Sequence, residues 1–202
     1  MKYVFLLIFF SISVFAEKLN LDEVIREIDS DKSYQDLVSQ CPSELFPKLG
    51  IPYKDHIDYC AANPMSCLKR CNDGDANYCS SLANYAQGKT GSEYHSEALF
   101  SKSCKLGLVN ACTNRASGLI KYNGESSLNC AVKTFELSCS QGDAWGCTMY
   151  GAYLAQGKGV KRDFDKALDV LEIGCKNGIQ DPACQNAKNI SSQIKAVLSK
   201  HK

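Results

Sequence analysis

The chain has 202 residues, and its 23 lysines and arginines nearly balance 22 aspartates and glutamates. A formal net charge of +1 creates no field that would draw in nucleic acid or an anionic membrane, so neither is an expected partner. Twelve cysteines point instead to an oxidising compartment, where they persist as disulfides.

At the N-terminus Lys2 precedes an apolar run from Val4 to Phe10, and Ser13-Val14-Phe15-Ala16 carries the small residues or valine that a signal peptidase reads. This predicts an export signal over residues 1–16, cleaved between Ala16 and Glu17. The run is too short for the roughly 20 apolar residues of a membrane span. The expectation is therefore a monomeric mature protein, periplasmic or secreted, with no membrane insertion after cleavage.

Residues 17–59 lack the cysteine pattern of the later chain. Leu21, Val24, Ile25 and Ile28 recur at helical spacing, and Tyr34, Leu37, Val38 and Cys41 suggest a second short helix ended by Pro42. The segment is expected to be an N-terminal helical cap, hiding the apolar face that an end hairpin would otherwise expose. Pro47, Gly50 and Pro52 break the stretch before Tyr53.

From residue 60 to 184 one motif recurs. Cys71-x-x-Gly74 runs to Cys79, Cys104-x-x-Gly107 to Cys112, Cys139-x-x-Gly142 to Cys147, and Cys175-x-x-Gly178 to Cys184; the first cysteines lie 33, 35 and 36 residues apart. A period in the mid-thirties indicates stacked two-helix units. The glycine supplies a left-handed residue that closes one helix, and Asp75, Asp143 and Asp181 stand where the next needs an N-cap. The two cysteines then face each other across a tight connection, which predicts four disulfides, each stapling its own hairpin. Cys60-Ala-Ala-Asn63-Pro64 repeats the logic with asparagine as the left-handed residue, giving a fifth pair, Cys60 with Cys67. Partners for Cys41 and Cys130 are left open, because spacing does not decide connectivity. No Cys-x-x-Cys occurs, and His56, His95 and His201 are not at ligand spacing from these pairs, so neither metal nor cofactor is expected. Residues 185–202 read as a C-terminal capping helix with a basic end.

The last repeat carries a family resemblance. From Cys147 it runs through Tyr150-Gly151-x-Tyr153, Gly157-Lys-Gly159-Val160, Asp163, Lys166-Ala167, Leu171 and Gly174-Cys175 to Ala183-Cys184. This resembles the Sel-one-like repeat, a relative of the tetratricopeptide repeat, in the disulfide-bearing form of the Helicobacter cysteine-rich protein family. The resemblance covers Asp143 to Cys184, thins between Cys71 and Cys139, and is absent before Cys60. It implies an all-α, right-handed αα-hairpin solenoid. Gly151, Ala116 and Ala83, four residues into each second helix, fit close helix contacts.

Because members of that family have been described as penicillin-binding or weak β-lactamases, the resemblance also implies a hydrolase alternative. Ser66-Cys-Leu-Lys69 and Lys89-Thr90-Gly91 match two motifs of penicillin-interacting enzymes. However, Ser-x-x-Lys also occurs at Ser192 and Ser199, and Lys89-Thr90-Gly91 falls in an expected interhelical loop rather than on a strand. The Gly88-Lys89-Thr90 ending of a phosphate loop lacks its first glycine, Ala83 standing there. The preferred expectation is non-enzymatic: a protein or peptide held on the concave face of the solenoid, with no catalytic residue. An immunity-type protein blocking a periplasmic toxin is a narrower version. The first helices, Tyr94 to Cys104, Asn129 to Cys139 and Asp163 to Cys175, line that face, and their expected solvent-facing binding residues are His95 and Glu97, Lys133 and Glu136, then Asp165, Asp169 and Glu172.

Overall fold

The hairpin turns set the architecture. In a computed structural model describing residues 21–91 and 94–200, Gly142 has φ 79°, a left-handed backbone that costs glycine nothing. Its N–H donates to the Cys139 carbonyl (2.8 Å), and Asp143 N–H reaches back to the Ser138 carbonyl (2.9 Å), the six-to-one hydrogen bond of a Schellman turn. Asp143 then accepts from Gly146 N–H (2.7 Å), so the residue that completes one helix end also caps the next. Gly74 and Asp75 do the same in an earlier hairpin, and Asp181 caps the last helix.

The described residues are all-α. Residues 21–30 form α1; α2 is Lys32–Ser39, α3 Pro42–Leu45, α4 Ile57–Ala62, α5 Pro64–Asn72, α6 Ala76–Thr90, α7 Tyr94–Lys105, α8 Val109–Asn123, α9 Leu128–Ser140, α10 Ala144–Gln156, α11 Phe164–Ile173 and α12 Pro182–Ser199. Helices α5/α6, α7/α8, α9/α10 and α11/α12 are the hairpins, and each leans on its neighbour to build an αα-hairpin solenoid. One core cluster runs from Val24 and Ile28 through Leu68 and Leu82 to Leu99 and Phe100; a second joins Phe135, Tyr150, Leu154, Leu171 and Ile194. Ala83 and Ala116 are fully buried, and a side chain at Gly151 would collide with Leu171. No described helix is long and apolar enough to cross a membrane.

Six disulfides close. Cys71–Cys79, Cys104–Cys112, Cys139–Cys147 and Cys175–Cys184 join helix ends with Cα atoms 4.2–4.7 Å apart, and Cys60–Cys67 ties α4 to α5. The sixth joins Cys41, the N-cap of α3, to Cys130 in α9, across 89 residues. Six bridges fit a non-cytoplasmic, oxidising environment.

Four expectations need correction. Asn63 is not left-handed: its φ is −140°, because the proline after it bars the helical region, and Pro64 opens α5 at the first helical position. Pro42 likewise opens α3, while α2 has already stopped at Ser39. Lys89 and Thr90 belong to the last turn of α6, with only Gly91 at the cap, so they do not form an interhelical loop. The boundary expected at residue 184 falls inside the continuous helix α12.

Candidate binding surface

The N-terminal segment reaches well past the end hairpin. Tyr34 is fully buried: its hydroxyl donates to Asn72 Oδ1 (2.8 Å) and accepts from Lys102 Nζ (3.2 Å), joining α2 to α5 and α7. Burial pushes the Tyr34 phenol up, and the carboxylates of Asp31 and Glu27 add to this. Helix α3 then packs on α7, α8 and α9, where Cys41–Cys130 pins it. From there the chain returns along the hairpin turns. Gln141 Nε2 donates to Pro47 O (3.1 Å), Ile51 N–H to Gly107 O (3.0 Å), Lys54 N–H to Asn77 Oδ1 (2.7 Å) and His56 N–H to Ser81 Oγ (3.0 Å). The repeats thus hold a strap of largely irregular backbone through side-chain and turn groups, which satisfies main-chain polar groups that no helix serves.

Helix α2 changes the expected face. Helix α7 is enclosed by α6, α8 and α2, so His95 and Glu97 are buried, at 6% and 3% exposure, and neither side chain is presented to a partner. His95 Nε2 lies 2.9 Å from Thr90 Oγ1. Glu97 Oε2 meets Arg115 Nη1 at 3.1 Å, both side chains 4% exposed, and Arg115 spends Nε on Ser101 Oγ and Nη2 on the Val38 carbonyl. Glu97 Oε1 has no hydrogen-bond partner. Its carboxyl lies against Gly118 in α8, where an added Cβ would overlap it.

Lys133, Glu136, Asp165, Asp169 and Glu172 are exposed, on α9 and α11. Glu136 anchors a link across three helices: Tyr150 Oη donates to its Oε1 (2.6 Å), and Lys166 Nζ contacts both Tyr150 Oη (2.8 Å) and Glu136 Oε1 (3.3 Å). The Tyr150 hydrogen bond, then Lys166, hold the Glu136 carboxyl below its ordinary range. Tyr150 and Lys166 escaped the sequence reading because both stand in the repeat pattern; only their polar tips distinguish them from core and spacer residues.

Ser66 lies exposed on α5, beside a surface hollow lined by Tyr59, Lys69, Arg70, Asp73 and Asp75. Lys69 Nζ is engaged by Asp73 (2.7 Å) rather than by Ser66, and Lys89 and Thr90 stand apart, at the far end of α6. The two motifs therefore do not assemble into a nucleophile with its base. Among the described residues no group of His, Cys, Asp or Glu is placed to hold a metal. Ala16 and Glu17, with the rest of the expected export signal, lie outside the described residues. Comparison with protein-family models, with curated proteins and with solved structures returns no match.

Burial pushes the Glu97 carboxyl up to about 7, against the pull of Arg115. A carboxyl raised above its unfolded value binds more protons in the folded state between the two pKa values. Its contribution is fully present below the unfolded value near 4.5 and is lost as pH rises through about 7. The stability difference between wild type and Glu97→Gln should accordingly fall by a few kcal/mol from pH 5 to pH 8. Urea midpoints across that range test it, and a flat difference would place the titration elsewhere.

Proposed function

We propose that the chain is an exported, non-enzymatic binding module of the disulfide-stapled Sel-one-like kind, active in a periplasmic or extracellular space. It holds a protein or peptide on the exposed first-helix face of α9 and α11. The observation that carries this reading is the strap. The hairpin array already holds an extended piece of its own chain by donating to and accepting from backbone groups at successive turns. A peptide supplied in trans needs the same service for its own backbone groups, and a solenoid has further surface on which to give it. Beyond the strap, α9 and α11 present Lys133, Glu136, Asp165, Asp169 and Glu172 to solvent, a mixed-charge surface able to select among partners.

Charge reversal tests the face. The tagged protein, cross-linked in its native compartment, should lose its partner when Lys133→Glu, Asp165→Lys and Asp169→Lys are combined. The control pair Lys188→Glu and Lys195→Glu on α12 should retain it. All variants should keep six disulfides and wild-type helicity. Loss with the α12 pair and retention with the α9/α11 set would assign binding to the opposite side.

A further inference from the structure

A cavity of about 360 Å³ opens where α2, α7 and the end of α8 meet, lined by Val38, Tyr94, Glu97, Arg115, Leu119, Tyr122 and Asn123. Its volume lies within the usual range for small-ligand pockets, and it has their make-up: aromatic and aliphatic walls with a few convergent polar groups. The walls are Tyr94, Tyr122, Leu119 and Val38. The polar groups are the buried Glu97–Arg115 pair and Asn123.

The pair is unevenly satisfied. Arg115 donates to Ser101, Glu97 and Val38, which accounts for all three guanidinium nitrogens, whereas Glu97 has one oxygen on Arg115 and the other on nothing. A buried carboxylate oxygen without a donor is costly, and the free energy lost by leaving it open is recovered by whatever donates to it. The fold has also made room for it. Gly118 sits in the interior of α8, where glycine is less favourable than alanine, and that missing side chain is where the Glu97 carboxyl rests.

The sign of the missing donor comes from the surroundings. Tyr94 and Tyr122 are partly exposed, at 36% and 49%, and aromatic faces attract cations. Burial pushes the Tyr94 phenol up, and the carboxylates of Asp29, Asp31 and Asp36, on α1 and α2, add to this. Two cations oppose them: Arg115, paired with Glu97 in the wall, and Lys121, which acts on Glu97 from the last turn of α8 and lies 5.6 Å from the Tyr122 ring centroid.

We propose that this cavity binds an organic cation, an ammonium or guanidinium group on an aliphatic stem, its head directed at the Glu97 carboxyl in the wall and its stem lying along Tyr94, Tyr122 and Leu119. The site is separate from the α9/α11 face and stands whether or not that face binds a partner. Such a group comes either as a small free amine or as the side chain of a basic residue in a polypeptide.

Calorimetric titration of the oxidised full-length protein compares n-pentylammonium, n-pentylguanidinium, their neutral isostere n-pentanol, and an end-blocked pentapeptide with one central lysine. At least one of the cations should bind, tenfold or more tighter than pentanol. Glu97→Gln should weaken the cation at least tenfold, and Tyr122→Ala, at a position 49% exposed, should weaken it several-fold. Tighter binding of the lysine peptide than of pentylammonium assigns the source to a polypeptide, and the reverse order to a free amine. Equal binding of pentanol, absence of cation binding to the wild-type protein, or a Tyr122→Ala variant with unchanged affinity overturns the proposal.

Discussion

Replacing Cys41 and Cys130 together by serine is expected to cost the oxidised protein about 4–5 kcal/mol, the largest effect of any single bridge. The reason is loop length. In the chain-entropy account, stabilisation grows with the logarithm of the closed loop, and this bridge closes 89 residues where the hairpin staples close eight or nine. The same expression gives a staple about 2.5 kcal/mol. Three of the other bridges lie inside the large loop and shorten it, but a logarithm loses only a few tenths of a kcal/mol by that. Denaturant titration of Cys41→Ser/Cys130→Ser beside Cys139→Ser/Cys147→Ser, both unreduced, measures the contrast. Hydrogen exchange should show α2, α3 and the adjoining face of α7 losing protection before any other helix. A smaller midpoint shift for the long bridge than for the staple would mean that the strap is held by its packing and hydrogen bonds alone.

Arg115→Met is expected to destabilise by about 3–5 kcal/mol at pH 8, because it strands the Glu97 carboxylate at a site where its side chain is only 4% exposed. The substitution also leaves the Val38 carbonyl and Ser101 hydroxyl without their donor. Burial is the largest influence on Glu97, so without its counter-ion the carboxyl rises further and stays protonated over more of the pH range. The loss should therefore shrink on going to pH 5. Adding Glu97→Met to Arg115→Met should recover the part of the loss that comes from the stranded carboxylate, while the unmet Val38 carbonyl and Ser101 hydroxyl keep the double variant below wild type. A double-mutant cycle at both pH values separates the coupling of the pair from the hydrogen bonds of Arg115 alone. An additive cycle at pH 8 would show that the two residues do not depend on each other.

The hairpins were legible because everything that makes them is local. Cys139, Gly142 and Asp143 stop one helix, turn the chain and start the next within five residues, and the same groups recur with the period of the array. The strap was not legible, because its partners lie far away in sequence. Cys41 meets Cys130, Val38 meets Arg115 and Pro47 meets Gln141, and none of these stands at a repeating position. Burial of His95 and Glu97 went unforeseen for the same reason, since a polar residue on a first helix reads as solvent-facing until something covers it. Two signals were present. The α7/α8 turn has Leu108 where its neighbours have a capping aspartate, and Leu108 is 1% exposed in the turn whose Gly107 carbonyl receives Ile51. Gly118, in mid-helix, marks the place where the Glu97 carboxyl lies.

The long bridge also imposes an order of events on oxidation. Five of the six bonds join cysteines that are neighbours in the order of the native pairs, and a polypeptide oxidised from its N-terminus as it enters an oxidising space makes bonds between successive cysteines by default. Cys41 is the first of the twelve in chain order, yet its partner follows Cys60, Cys67, Cys71, Cys79, Cys104 and Cys112. Default pairing would join Cys41 to Cys60 and then throw the next three pairs out of step, through to a Cys112–Cys130 bond, while leaving Cys139–Cys147 and Cys175–Cys184 correct. Oxidation in the order of emergence would require either that Cys41 stay reduced until residue 130 has emerged or that an isomerase reopen the first bond, and the yield would then track thiol–disulfide exchange capacity rather than oxidant supply.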